Sequence, residues 1–223
     1  MNPGRRALVL GATGLVGSWC VKFLLEDPDF AQVIAAGRSP LPAAPKLAFE
    51  PVDFERLAER PLPAADDVFC CLGTTRKKAG SAEAFRRVDF DYVLAAARAG
   101  RASGARNFYL VSSQGADASS PFLYPRVKGE IEAAVSGLGF ESVQILRPGL
   151  LLGERTERRP LEAAALSLLG KLSFLLMGPL AGLKPIPARA VGHALVLISK
   201  RGERGTRIWP SAEIASLAAG DQL

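Results

Sequence analysis

The chain has few of the residues that build metal sites and disulfide frameworks. Its 223 residues include one histidine, His193, and three cysteines, Cys20, Cys70 and Cys71. A single histidine excludes a multi-histidine metal site and argues against a Ser–His–Asp hydrolase. An odd number of cysteines, two of them adjacent, provides neither a disulfide framework nor a spaced zinc pair. We therefore predict no metal, small packing roles for Cys70 and Cys71, and a reducing, cytoplasmic location.

Long uninterrupted hydrophobic runs are also lacking. The most apolar stretch, Leu161–Leu183, contains Glu162 and Lys171. Its longest uncharged part, 172–183, falls short of the roughly 20 residues that span a bilayer. No transmembrane segment is predicted. We interpret the stretch as part of a small lid over the active site, formed by about 154–187. Contact with a membrane surface is the alternative.

The charge is basic but dispersed. The chain carries 28 Lys+Arg against 22 Asp+Glu, a formal net charge of +6, and no aromatic residues interleave with its basic clusters. Nucleic-acid surfaces usually combine clustered charge with stacking aromatics, so no nucleic-acid partner is expected. The 48% hydrophobic and 22% charged residues are typical of a globular protein. Without a linker or an internal repeat, residues 1–223 are predicted to form one domain.

Short apolar runs alternate with helical patterns along most of the chain. The predicted strands are 6–11, 32–36, 46–52, 67–72, 107–111 and 143–146, and the predicted helices are 15–24, 81–102, 125–135 and 188–199. This alternation indicates parallel strands joined by crossover helices. We predict a Rossmann-like, doubly wound α/β sheet of about seven mostly parallel strands with helices on both faces.

A glycine-rich loop follows the first predicted strand and opens the first predicted helix. Gly11 permits a tight turn, Gly14 lets backbone N–H groups approach a pyrophosphate, and Gly17 lets the helix pack closely on the strand. The phosphates would lie at the positive end of the helix. A chance glycine-rich turn is the alternative. The predicted dinucleotide-binding residues of the loop are Gly11, Thr13, Gly14, Leu15, Val16 and Gly17.

The ends of the next strands indicate which dinucleotide is bound. No acidic residue follows the second strand to bind a ribose hydroxyl, and Arg38 stands there instead, where it could grip a 2′-phosphate. This favours NADP(H) over NAD(H), unless Arg38 is merely solvent-exposed. Asp53 could bind the adenine amine or cap a helix. Leu72 and Gly73 end the fourth strand, where the backbone could approach the cofactor.

A second motif supplies groups for proton transfer. Tyr124 and Lys128 are four residues apart at the start of a predicted helix, so they share one face. A neighbouring ammonium group favours the phenolate form of a tyrosine, which makes Tyr124 a candidate general acid/base. Ser113, at the end of a strand, could hydrogen-bond the reacting oxygen.

With these residues the chain resembles the short-chain dehydrogenase/reductase superfamily, of the atypical or extended kind. Residues 70–80, 87–92, 113–120, 122–130 and 147–149 are similar to its Tat-interacting-protein oxidoreductase branch. The resemblance covers nearly the whole chain and weakens after about residue 159.

The resemblance implies roles for several residues. Ser113, Tyr124 and Lys128 would be catalytic, and Lys128 would also hold the nicotinamide ribose. The segment formed by Pro148, Gly149 and Leu150 would lie along the nicotinamide amide.

The sequence departs from the family's pattern at two places near these residues. Asp89 stands where many relatives have an asparagine that supports a proton-relay water, which puts that relay in doubt. Pro125 directly follows the catalytic tyrosine, a position that an early helix residue tolerates.

Two functions follow from these observations. The first is an NADP(H)-dependent oxidoreductase acting on a small carbonyl or alcohol, with Tyr124 as general acid/base. The alternative is an NADPH-binding regulatory or redox-sensing protein, with a protein partner and without significant turnover. His193 has no partner motif around it and is interpreted as a residue at the edge of the core.

Overall fold

Apolar runs of four to eight residues form the strands of the structure, and amphipathic segments between them form the helices. The computed structural model describes residues 4–57, 61–152 and 184–220. In chain order the strands are β1 (Arg5–Leu10), β2 (Phe30–Gly37), β3 (Leu47–Pro51), β4 (Asp67–Cys70), β5 (Asn107–Val111), β6 (Ser142–Arg147), β7 (Leu151–Leu152), β8 (Ile186–Pro187) and β9 (Gly205–Pro210). The helices are α1 (Gly17–Glu26), α2 (Arg76–Ala79), α3 (Ala82–Arg86), α4 (Tyr92–Ala102), α5 (Leu123–Ser136), α6 (Ala188–Lys200) and α7 (Ser211–Gly220).

Seven strands form one parallel sheet in the order β3-β2-β1-β4-β5-β6-β9. The strand order turns back between β1 and β4, which is where open α/β sheets bind ligands at their carboxyl edge. Leu10 of β1 lies between Ala36 of β2 and Cys70 of β4. The residues after these strand ends therefore meet at one edge. The predicted doubly wound sheet is confirmed.

The sheet separates two hydrophobic cores. Along β1, Ala7 and Val9 face the side covered by α1 and α6, whereas Leu8 and Leu10 face the side covered by α4 and α5. The alternation follows from the two-residue period of a strand. Helices α1 and α6 cross closely, because a Cβ atom on Gly192 would lie 2.7 Å from the Cβ of Trp19. Both faces of the sheet are therefore covered.

The helix that the sequence predicts at 81–102 is divided. A π-helical turn, Arg87–Asp91, separates α3 from α4. Such turns carry one extra residue per turn and occur often at functional sites. Asp89 lies within the turn and is completely buried. A hydrophobic periodicity cannot reveal this extra residue, since the apolar spacing on either side remains helical.

The end of the chain differs from the prediction. Helix α6 agrees with the predicted helix at 188–199, but β9 and α7 follow it and extend the sheet by one edge strand. Most of β9 is exposed, so its sequence shows no clear apolar alternation. The predicted lid at 154–187 lies outside the described residues except for 184–187, where β8 pairs with β7. None of the helices in the described ranges is long and apolar enough to cross a bilayer.

Candidate cofactor and catalytic site

The glycine loop packs tightly between β1, β4 and α1. Gly11 has a φ of +74°, and its carbonyl oxygen accepts a hydrogen bond of 2.9 Å from the N–H of Gly14. A Cβ on Gly11 would lie 2.6 Å from the carbonyl oxygen of Cys71, and one on Gly17 would overlap the carbonyl oxygen of Gly11. The closeness that the motif predicts is therefore present.

The N-terminus of α1 has the electrostatics that an anion requires. No side chain caps the helix, and its first turn contains no acidic residue. The helix dipole is therefore not compensated by a carboxylate at this end. Phosphate oxygens fit such a helix start.

The ends of β2 and β3 lie beside the loop. Arg38 is exposed one residue beyond β2, whose last residue accepts the Val52 N–H at 2.9 Å. The Oδ1 atom of Asp53 accepts the Glu55 N–H at 3.1 Å, so Asp53 caps the 3₁₀ turn that starts at Phe54. The capping interpretation of Asp53 is therefore the one with a visible contact, and adenine binding stays a prediction.

The chemical end of the site contains a buried ion pair. Lys128 of α5 is 4% exposed, and its Nζ atom lies 2.7 Å from Oδ1 of Asp89. The other oxygen of Asp89 accepts the Thr74 N–H at 2.8 Å. A Cβ on Gly73 would lie 3.8 Å from Nζ. The end of β4, the π turn and α5 therefore converge at Lys128.

The charge of Lys128 is maintained by its neighbours. Burial alone lowers the pKa of the ammonium group, but the Asp89 carboxylate and then Tyr124 outweigh burial and raise that pKa above its ordinary value. Lys128 is therefore a cation at neutral pH, and most of its field is directed at one adjacent carboxylate.

Tyr124 and Ser113 provide the two hydroxyl groups of the site. Tyr124, one turn before Lys128, is 42% exposed, and its ring centroid lies 5.5 Å from that of Phe85. Ser113 is 9% exposed, and its Oγ has no hydrogen-bond partner among the described residues. A buried hydroxyl without a partner is uncommon and suits a group that bonds to a ligand.

Backbone contacts hold the start of α5. Asp117 donates its N–H to the carbonyl oxygen of Pro125 at 2.9 Å. Gly129 allows the helix to touch the same loop, because a Cβ there would overlap the backbone N of Ala118. Pro125 is the third residue of α5, where its missing N–H breaks no helical bond.

The segment after β6 lies next to Ser113. Gln114 donates its N–H to the carbonyl oxygen of Pro148 at 2.9 Å, and Gly149 donates its N–H to Oγ of Ser211 at 3.0 Å. Leu150 is 53% exposed. The segment that the resemblance assigns to the nicotinamide thus adjoins the residues assigned to proton transfer.

The pairing of Asp89 with Lys128 is the feature that sequence reasoning missed. The chemistry of position 89 was visible as a departure from an asparagine, but its direct contact with Lys128 was not. The two residues are far apart in sequence, and the π turn that turns Asp89 inward has no pattern of its own.

The cysteines and the histidine lie in packed surroundings. Burial raises the pKa of Cys70 to about 12. A hydrogen bond with Cys20, and then burial, raises the pKa of Cys71 well above its ordinary value. His193 stacks on Phe23 with ring centroids 4.4 Å apart. Neither thiol is ionised at neutral pH, in accord with the packing roles predicted for them.

The chain is similar to proteins of known family. A model of the NAD dependent epimerase/dehydratase family matches residues 7–129. "Protein HTATIP2" from Rattus norvegicus is 46% identical over 174 residues, which cover 75% of this chain and 72% of that protein. "Protein FMP52, mitochondrial" from Candida albicans is 39% identical over 206 residues, which cover 88% of this chain and 89% of that protein.

Solved structures share the fold at low sequence identity. MoeE5 in complex with UDP-glucose and NAD has a TM-score of 0.66 at 20% identity, covering 96% of this chain and 81% of that chain. A short chain dehydrogenase family protein from Francisella tularensis has a TM-score of 0.63 at 14% identity, covering 95% and 99%. The Rossmann-like fold is the property that these similarities establish.

The predicted cytoplasmic location is wrong. Similar fungal proteins, including those from Candida albicans and Aspergillus fumigatus, carry "mitochondrial" in their names. The prediction depended on cysteine usage, which reports only whether thiols stay reduced. A reducing environment does not distinguish the cytosol from every other compartment.

Proposed function

The chain belongs to the NAD dependent epimerase/dehydratase family, and from this premise we propose that it is an NADP(H)-dependent oxidoreductase acting on a small carbonyl or alcohol substrate. One observation carries the proposal. The buried Lys128, the partnerless hydroxyl of Ser113 and Tyr124 lie at the same sheet edge as the glycine loop.

The described residues fit a dinucleotide at the loop. The glycines at 11, 14 and 17 leave no room for side chains between β1, β4 and α1, and the start of α1 carries no compensating carboxylate. The pyrophosphate would lie there. Leu72, Gly73 and the segment 148–150 would border the nicotinamide, with Lys128 holding its ribose.

The chemistry divides into a hydride transfer and a proton transfer. A bound reduced nicotinamide supplies a hydride with its electron pair to the carbonyl carbon and is itself oxidised. The developing oxyanion needs a proton, which the hydroxyl of Tyr124 donates while Ser113 hydrogen-bonds the same oxygen. The phenolate then regains a proton from water. Oxidation of an alcohol uses these steps in reverse.

The preference for NADP(H) depends on Arg38. The described backbone places this guanidinium beyond β2, next to the strand end that carries Gly11. No carboxylate lies within 34–40 to repel a 2′-phosphate. A guanidinium fork suits phosphate and can also stack on adenine.

The first test is a carbonyl panel with NADPH, followed by its oxidation and repeated with Tyr124→Phe. This change removes the proton donor and little volume. Turnover should fall at least about 100-fold, the low end of general acid contributions. Tyr92→Phe is the matched control, because Tyr92 bonds to Glu55 on the surface and should leave turnover unchanged.

The two candidate functions give different results. If Tyr124→Phe kept full activity, Tyr124 would not be the proton donor. Tight NADPH binding with no turnover on any carbonyl would favour the regulatory alternative.

A further inference from the structure

Asp89 provides the carboxylate that contacts Lys128 from outside α5. Its side chain is completely buried, and its oxygens contact Nζ of Lys128 and the backbone N–H of Thr74. Asp91, two residues along the same turn, is exposed. Only the first of these two carboxylates can therefore act on the site.

We infer that Asp89 is a positioning residue that neutralises the field of Lys128 at Tyr124 and so keeps Tyr124 protonated to alkaline pH, which suits the site to carbonyl reduction. This inference rests on the proposed function. It concerns a residue that never touches the substrate and acts through Lys128.

The first step of the argument is electrostatic. An isolated ammonium group near a phenol stabilises the phenolate and typically moves its ionisation by one to three pH units. Here a full negative charge lies 2.7 Å from that ammonium, inside the same buried region. The pair presents Tyr124 with opposite charges that largely cancel. An asparagine at position 89 would leave the ammonium charge uncompensated.

The other groups near Lys128 and Tyr124 do not alter this balance. Cys70 of β4 is a protonated thiol at neutral pH, since burial raises its pKa to about 12. Phe85 of α3 and Ser113 of the β5 end are uncharged. On α5 itself, Glu130 is paired with Arg86 and Arg126 at the surface. Among the described residues, Asp89 is therefore the carboxylate that controls Lys128.

The second step links protonation to direction. Reduction requires the Tyr124 hydroxyl, which gives its proton to the substrate oxygen, whereas oxidation requires the phenolate, which accepts the alcohol proton. A Tyr124 that stays protonated at neutral pH leaves nearly all molecules ready for reduction. Few are ready for oxidation until the pH is raised. The overall equilibrium, which includes a proton, is unchanged.

The test measures Tyr124 directly, without substrate or cofactor. Tyrosinate absorbance is followed as the full-length protein is titrated with base. The chain has three tyrosines. A hydrogen bond to Glu55 raises the pKa of Tyr92, while burial and the nearby Asp67 raise that of Tyr109. The first step should therefore belong to Tyr124, and it should disappear in Tyr124→Phe.

The expected midpoint of this step in the wild type is about 9 or higher, near the ordinary value of a tyrosine. In Asp89→Asn it should fall by about one pH unit or more. Asp91→Asn removes the same charge from the exposed side of the turn and should leave the midpoint unchanged. Asp89→Ser is a second neutral variant in case Asp89→Asn does not fold.

Each outcome decides the inference. A wild-type midpoint below about 9 overturns it, as does an unchanged midpoint in either folded Asp89 variant. If neither variant folds, the wild-type midpoint decides alone. With a substrate in hand, the alkaline limb of alcohol oxidation should move down by the same interval in Asp89→Asn. Failure of the proposed function is seen separately, as full activity of Tyr124→Phe.

Discussion

Two carboxylates are completely buried in the described parts of this protein, and they lie at opposite edges of the same sheet. Asp67 begins β4 at the amino edge, and Asp89 lies beyond the carboxyl edge of the same strand. Asp67 accepts hydrogen bonds from Arg5, Asn107 and Tyr109. Asp89 accepts one from Thr74 and otherwise contacts Lys128.

The difference shows how one fold separates stability from chemistry. The partners of Asp67 come from strands β1 and β5, so the carboxylate ties the centre of the sheet together. The partner of Asp89 is a side chain assigned to the cofactor and to proton transfer. A buried charge that is surrounded by strand residues is expected to stabilise the fold, and one beside a partnerless hydroxyl is expected to tune the site.

Removing Asp67 should break the amino edge and produce the largest stability loss. Asp67→Ala would leave the Arg5 guanidinium and the buried Tyr109 hydroxyl without their acceptor. We expect a loss of about 3 kcal/mol in the free energy of unfolding, the low end for broken buried pairs because Arg5 is partly exposed. Urea unfolding measures it.

The neighbouring Asp66 provides the control for this measurement. Its ion pair with Arg106 is 3.3 Å long and lies at the surface, so Asp66→Ala should cost less than about 1 kcal/mol. Equal losses in the two variants would show that burial does not set the strength of these contacts.

Removing Arg38 should have the opposite profile, with an effect on cofactor affinity and none on stability. This exposed guanidinium is proposed to bind a 2′-phosphate, and charge-assisted bonds of this kind contribute roughly 1.5–3 kcal/mol. NADPH should therefore bind about ten- to a hundredfold tighter than NADH, and Arg38→Ala should remove most of that difference. Calorimetric titration of both cofactors measures the ratio.

The control for Arg38 removes the same charge elsewhere. Arg98 is exposed on α4, away from the strand ends that carry the loop. Arg98→Ala should leave the preference intact. Equal affinities for NADPH and NADH in the wild type would show that Arg38 points to solvent.

The sequence predicted the parts of the site that depend on local patterns. The loop from Gly11 to Gly17 is recognisable because its glycines have fixed spacing between a strand and a helix. Tyr124 and Lys128 are recognisable because one helical turn separates them. The sheet follows from the alternation of strands and helices, which leaves few topologies.

The parts that were missed depend on contacts between distant segments. Asp89 reaches Lys128 only because a π turn interrupts the helix at 81–102. Strand β9 is an exposed edge whose apolar side chains do not alternate clearly with polar ones. Neither feature leaves a periodic signal, and both are decided by the packing of elements that are far apart in sequence.

The smallest expected effect comes from an ion pair that is neither buried nor in the site. Lys200 of α6 lies 2.8 Å from Oδ2 of Asp27, at the end of α1. Burial acts to raise the pKa of Asp27, but the hydrogen bond from Lys200 outweighs it and lowers that pKa below its ordinary value. A lowered folded-state pKa means that the pair stabilises the fold above the unfolded value, near 3.8, and loses this contribution as the pH falls further. Asp27→Asn should therefore cost less than about 1 kcal/mol at pH 7, and the difference from wild type should vanish in acid. Urea midpoints at both pH values test this, and a cost in acid as large as that at neutral pH would show that Asp27 acts through its hydrogen bonds and not through its charge.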